Sequence, residues 1–144
     1  MVLHHGKEVP VPIQKQLSIF LANRPGVLAH ICSILAEANV NILALSVHDT
    51  VDNAVVRLVL DNPTKALLLL EQEEFYIMEQ DVVILAVDSQ PGILAKIAQK
   101  LGHADINIQY AYCTATTKQV AGCIVLKTDQ PEAAAECLRE FESN

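Results

Sequence analysis

The hydrophobic positions in the first half of the chain predict five elements in the order strand, helix, strand, strand, helix. Residues 17–21 form an apolar run of strand length. Apolar residues then recur at positions 27, 28, 31, 34, 35 and 38, the spacing of one buried helix face, and Pro25 stands where a first helical turn tolerates proline. Residues 40–47 and 54–60 are typical of a hairpin, and a second helix is expected after Pro63.

The second half predicts the same order of elements. Residues 82–87 predict a strand, and apolar positions 93, 94, 97, 101 and 104 predict a helix. Residues 106–115 and 120–126 are typical of a hairpin that turns at Thr117 and Lys118. A last helix is expected after Pro131. Its buried stripe is predicted to consist of Ala134, Cys137, Leu138 and Phe141.

The two halves are copies of one sequence pattern. When the chain is displaced by 66 positions, nine of the eighteen residues from Pro25 to Ile42 are identical without a gap. The identical pairs are Pro25/Pro91, Gly26/Gly92, Leu28/Leu94, Ala29/Ala95, Ile31/Ile97, Leu35/Leu101, Ala38/Ala104, Asn41/Asn107 and Ile42/Ile108. This density indicates two domains, residues 15–80 and 81–144, preceded by a segment of residues 1–14.

Five elements leave each predicted sheet one strand short. A split β-α-β sandwich, in which two helices cover one face of an antiparallel sheet, needs a fourth strand, and residues 75–78 supply it for the first copy alone. Val9, Val11 and Ile13 alternate with prolines in strand fashion. We therefore predict that residues 8–13 form an edge strand that completes the second copy, in the same chain or in a partner chain. The alternative is an unstructured leader.

Composition and charge exclude several classes of partner. The 144 residues are 51% hydrophobic with a mean hydropathy of +0.29, so a packed α+β core is expected rather than disorder. Ten Lys and Arg residues against 17 Asp and Glu give a net charge of −7, which disfavours nucleic acid. No apolar run approaches the ~20 residues of a membrane-spanning helix. The N-terminus has no signal-peptide pattern, so we expect a cytoplasmic protein without a membrane partner.

The sequence carries no pattern of an active site or of a cofactor site. GxGxxG, P-loop, HExxH and GxSxG motifs are absent. The four cysteines show no metal-ligand spacing, and we interpret them as small buried residues. The glutamates of the two second helices are typical of solvated helix faces. We therefore expect a protein without enzyme activity, cofactor or metal.

The corner between first strand and first helix is the candidate ligand site of each copy. The start of a helix favours a carboxylate, because its amide groups are unpaired and its dipole is positive there, and glycine permits close approach. An ammonium group needs acceptors, which Asn and Asp side chains would supply, including Asn41 and Asn107 after the helices. The alternative is a plain turn and helix start, with each asparagine ending a helix. The corner residues are Asn23, Arg24, Pro25, Gly26 and Val27 in the first copy and Asp88, Ser89, Gln90, Gly92 and Ile93 in the second.

These motifs resemble ACT domains, the small ligand-sensing modules attached to enzymes of amino-acid metabolism. The family pattern runs from a strand through a Pro-Gly-x-Leu helix start to a closing Asn-Ile, and the copies read NRPGVLAHICSILAEANVNI and SQPGILAKIAQKLGHADINI. Together the copies cover nearly all of residues 16–141. The resemblance implies a ferredoxin-like β-α-β-β-α-β fold for each copy, pairing of units through sheets or helices, and amino acids bound at unit interfaces.

The first copy is particularly similar to the serine-sensing ACT domain of phosphoglycerate dehydrogenases. In that family the asparagine before Arg-Pro-Gly and the asparagine closing the first helix both hold the ligand, and these positions are Asn23 and Asn41. Leu21 stands where that family has a histidine. The second copy has Ser89 in place of the first asparagine and Asp88 where many ACT domains carry an acid. The resemblance therefore implies two sites that differ in ligand, or a single working site.

The resemblance implies a regulatory protein that binds a free amino acid and modulates a separate enzyme of amino-acid metabolism, because the sequence holds no catalytic domain. A homodimer is expected from a tandem unit with open sheet edges. The alternative is an assembly module whose domains provide only association surfaces. Leu67 and Leu68 on the second helix of the first copy favour this alternative, since they are predicted to leave apolar surface exposed.

Overall fold

The structure, a computed structural model, describes residues 12–22, 24–88, 90–114 and 122–141. These residues form an α+β fold in which the predicted order of elements occurs twice. In chain order the elements are β1 (Ile13–Ala22), α1 (Val27–Glu37), β2 (Ile42–Asp49), β3 (Asn53–Leu60), α2 (Pro63–Gln72), β4 (Tyr76–Val87), α3 (Ile93–His103), β5 (Ile108–Cys113), β6 (Gly122–Thr128) and α4 (Pro131–Cys137), followed by a 3-10 turn (Arg139–Phe141). The predicted turn at Thr117 and Lys118 lies outside the described residues.

Contacts divide the chain into two compact units, of which the first is Lys15–Gln80. Its strands lie in the order β2-β3-β1-β4. Both β1 and β2 pair antiparallel with β3, and Leu17 and Leu45 both lie opposite Leu58. The two helices α1 and α2 pack against one face of this sheet, which is the ferredoxin-like arrangement.

The second unit joins Asp81–Asn144 to the start of the chain. Its strand order is β4-β6-β5, and β6 pairs antiparallel with both neighbours. The carbonyl of Pro12 accepts a hydrogen bond of 3.0 Å from the N–H of Ile84 in β4. Pro12 therefore lies at the edge of this sheet where the second copy lacks a strand of its own. Of the predicted edge strand, residues 8–11 lie outside the described residues, and Ile13 is the first residue of β1.

Strand β4 corrects the prediction of two separate strands at residues 75–78 and 82–87. The structure has one continuous strand, Tyr76–Val87, of which residues 76–80 belong to the first unit and residues 81–87 to the second. Glu79, Gln80 and Asp81 break the apolar pattern between the two runs. A strand does not need apolar side chains to continue, since its ladder is made by backbone groups.

Each unit has its own core between helices and sheet. In the first unit Ile31 and Leu35 of α1 are fully buried, and Ile97 and Leu101 of α3 take the same place in the second. The buried residues of the second helices are Ala66 and Leu70 in α2 and Ala134 and Ala135 in α4, and Leu138, directly after α4, is fully buried as well. The four helices have 7 to 11 residues, and none that the structure describes is long and apolar enough to cross a membrane.

Two leucines of the predicted helix stripes lie outside these cores. The side chains of Leu28 and Leu94 are 36% and 55% exposed. At 100° per residue Leu28 lies about 60° away from Ile31, so it stands at the margin of the buried face. Its place in the first helical turn leaves it open to solvent.

The interpretation of the cysteines as buried residues is wrong. Cys113 is exposed, and Cys32, Cys123 and Cys137 are half-buried. Cys113 ends β5, which is the outer strand of its sheet, so its neighbours cover it on one side only.

Candidate functional site

Both units begin their first helix in the same backbone conformation. Gly26 and Gly92 are the N-cap residues of α1 and α3, with φ of +89° and +84°. Within the described part of the chain, no side chain caps either helix. The first helical hydrogen bonds run from the N–H groups of His30 and Lys96 to the carbonyls of the two glycines, at 3.0 Å each. The preceding N–H groups in each unit stand at a helix start, where the helix dipole favours an anion, and in the second unit one of the three, that of Ile93, already donates to the carbonyl of Gln90.

Backbone conformation is a sufficient reason for glycine at both corners. Only glycine adopts a φ near +85° without strain. A Cβ built on Gly26 or Gly92 meets none of the described atoms within 4 Å. The further role expected from the sequence, room for a ligand to approach the backbone, stays a prediction.

The first corner lies on the surface. Arg24, Pro25 and Gly26 are exposed, and the N–H of Arg24 donates to the carbonyl of Ala22 at 2.9 Å. Val27 is half-buried and packs against the core of the first unit, so its side chain serves the fold. Asn23 lies outside the described residues, and its expected contact with a ligand stays a prediction.

The second corner opens into a cleft of about 280 Å³. Its lining consists of Val87, Asp88, Gln90, Ile93, Lys96, Glu140 and Phe141. Three of these residues, Asp88, Gln90 and Ile93, are predicted from the sequence. Lys96 was missed, although its spacing of three from Ile93 places both on one face of α3. Glu140 has no such signal, because it reaches the cleft from the turn after α4.

The residues of the second corner differ in exposure. Asp88, Gln90 and Gly92 are exposed, and the carbonyl of Gln90 accepts a hydrogen bond from the N–H of Ile93 at 3.3 Å. Ser89 lies outside the described residues. The side chain of Ile93 is half-buried and packs against the core of the second unit.

Ion pairs border the cleft of the second corner. The Lys100 ammonium donates a hydrogen bond to the Glu140 carboxylate, and this bond together with the charge of Glu140 raises the pKa of Lys100 above its usual value. The Arg139 guanidinium lies 2.8 Å from the carboxylate of Glu136. These four side chains and Cys137 line a neighbouring cleft of about 320 Å³. Glu140 therefore belongs to both clefts, with its charge compensated by Lys100.

The two closing asparagines are fixed through their backbone. The N–H of Asn41 donates to Oδ1 of Asp61 at 2.9 Å, and the N–H of Asp61 donates back to the carbonyl of Asn41 at 3.1 Å. In the second unit the N–H of Asn107 donates to Oδ1 of Asp129 at 3.3 Å. The aspartates follow β3 and β6, so each asparagine is anchored to the strand beside its own.

Within one unit, the structure does not bring Asn41 to the corner. Residues 27–40, which include all 11 residues of α1, lie between it and Gly26. At 1.5 Å per residue the ends of this helix are ~16 Å apart. The 11 residues of α3 separate Asn107 from Gly92 in the same way. A single amino acid is shorter than this distance, so the corner and the asparagine of one unit do not hold the same molecule.

Solved structures resemble the chain over most of its length. Protein BT0572 from Bacteroides thetaiotaomicron is 31% identical, with a TM-score of 0.81, over 89% of this chain and 88% of that chain. The ligand-free regulatory subunit of aspartate kinase from Thermus thermophilus is 18% identical with a TM-score of 0.66, over 94% of this chain and 100% of that chain. The corresponding subunit from Thermus flavus is 20% identical with a TM-score of 0.60, over 92% of this chain and 97% of that chain.

The family is shown by the sequence as well as by the fold. No curated protein matches the chain. The family model described as an ACT domain pair matches residues 12–142. The similarity of the first copy to serine-sensing domains stays a prediction. Two ferredoxin-like units with repeated Pro-Gly corners, matched over this span, show that the chain belongs to the family of ACT domain pairs.

Proposed function

We propose that this protein is a regulatory protein that binds a free amino acid and changes the activity of a partner enzyme. The observation that carries the proposal is the repeated corner, where a helix starts after a left-handed glycine and no described side chain caps it. Such a corner attracts a carboxylate, and the carboxylate is common to all amino acids. Membership of the family of ACT domain pairs supports the same role.

The proposed partner is an enzyme of amino-acid metabolism in the cytoplasm. Two of the similar structures are named as regulatory subunits of aspartate kinase, that is, as proteins that regulate a separate catalytic chain. At 18% and 20% identity these likenesses concern the fold, so the identity of the partner enzyme is left to experiment. In this proposal the chain itself catalyses no reaction and needs no cofactor.

A homodimer is part of the proposal. Because α1 separates Asn41 from the corner of its own unit, an asparagine that contacts a corner-bound ligand has to come from elsewhere. A second copy of the chain would supply it across a two-fold interface. The ligand would then favour the assembled state, because it binds that state better than the separated one.

A titration of the twenty amino acids, followed by thermal unfolding and calorimetry, tests the proposal. A ligand that binds only the folded chain stabilises it by about 2.7 kcal/mol at one hundred times its Kd. We expect at least one amino acid to raise the Tm by several degrees, and Asn41→Ala and Asn23→Ala to weaken the response. The proposal fails if every amino acid leaves the Tm unchanged at millimolar concentration.

An assembly module without a ligand is the second candidate function, and exposed apolar residues in the first unit favour it. Leu43, Leu45 and Val47 of β2 are 44%, 43% and 49% exposed, and Leu68 of α2 is 59% exposed. Leu67, which was expected to be exposed as well, packs partly against the core. Under this alternative, Asn41→Ala leaves both the Tm in the presence of amino acids and the oligomeric mass unchanged.

A further inference from the structure

We draw no further inference here: the strongest candidate, the surface patch that the exposed Tyr76 and Met78 form beside Phe20 on the side of the first unit's sheet opposite to α1 and α2, carries no proposal because nothing in the structure shows what covers it.

Discussion

At the scale of single residues, the backbone conformation of a few positions determines how the helices start and end. Asn39 and Asp105 adopt a φ of +60° after α1 and α3, where they reverse the chain. The sequence pattern places helix-ending residues two positions later, at Asn41 and Asn107. Asn and Asp are both tolerated in the left-handed region, so spacing alone does not identify which residue of the loop adopts it.

The positive φ of the two N-cap glycines leads to a prediction about stability at this scale. Gly26→Ala and Gly92→Ala should each lower the free energy of unfolding by about 1 kcal/mol, because alanine is strained at positive φ. No described atom lies within 4 Å of the added Cβ, so steric overlap adds nothing to this cost. Urea denaturation measures the effect.

Gly102, inside α3, is the matched control. A Cβ added there also meets no described atom within 4 Å, and its backbone is helical. Gly102→Ala should therefore raise the free energy of unfolding by about 0.5–1 kcal/mol. A stabilising Gly26→Ala would contradict the conformational explanation of the corner.

At the scale of elements, the periodicity of apolar residues is enough to predict the helices and hairpins, and long-range pairing accounts for what it misses. The hydrogen bond between Pro12 and Ile84 joins residues far apart in sequence, and β4 continues through polar residues because its ladder is made by backbone groups. In the lining of the corner cleft, too, local periodicity predicts some residues and misses those that long-range packing brings in. Lys96 shares a helix face with a predicted residue, whereas Phe141 comes from an element 45 residues later, and no local pattern connects the two.

Hydrogen bonds in a polar cluster between β1 and β4 are expected to contribute to stability, and this is the prediction at the scale of elements. Gln16 and Ser18 are 0% and 2% exposed, and both donate hydrogen bonds to Oε1 of Gln80, at 3.0 Å and 2.6 Å. Ser18→Ala should lower the free energy of unfolding by about 1 kcal/mol, the usual net value of one such bond, while Gln80 keeps its bond to Gln16. Chemical denaturation measures the loss.

Ser33, exposed on α1, is the control for that substitution. Ser33→Ala should change the free energy of unfolding by no more than about 0.5 kcal/mol, and in the stabilising direction, because alanine is the better helix former. Equal destabilisation by the two serine variants would show that the buried cluster contributes no specific stability.

At the scale of the whole molecule, assembly depends on a balance between charge and exposed apolar surface. Two copies that each carry a net charge of −7 repel each other, most strongly at low ionic strength. Strand β2 lies at the end of the strand order of the first unit. Its exposed apolar side chains favour association and so oppose this repulsion. Leu45 and Val47 lie opposite the core residues Leu58 and Val56, so they continue the core-facing side of the sheet out to its edge.

The homodimer proposed above should therefore form through this edge and strengthen with salt. Light scattering on the wild type should give about twice the mass of 15.7 kDa, and Leu45→Glu should reduce it to that of one chain. Ala111 occupies the corresponding position of the second unit, opposite Leu126, so Ala111→Glu is the matched control and should leave the dimer intact. A monomeric wild type at every salt concentration, or dissociation by Ala111→Glu alone, would contradict a dimer built on β2, because the added charge acts only where apolar surface is covered.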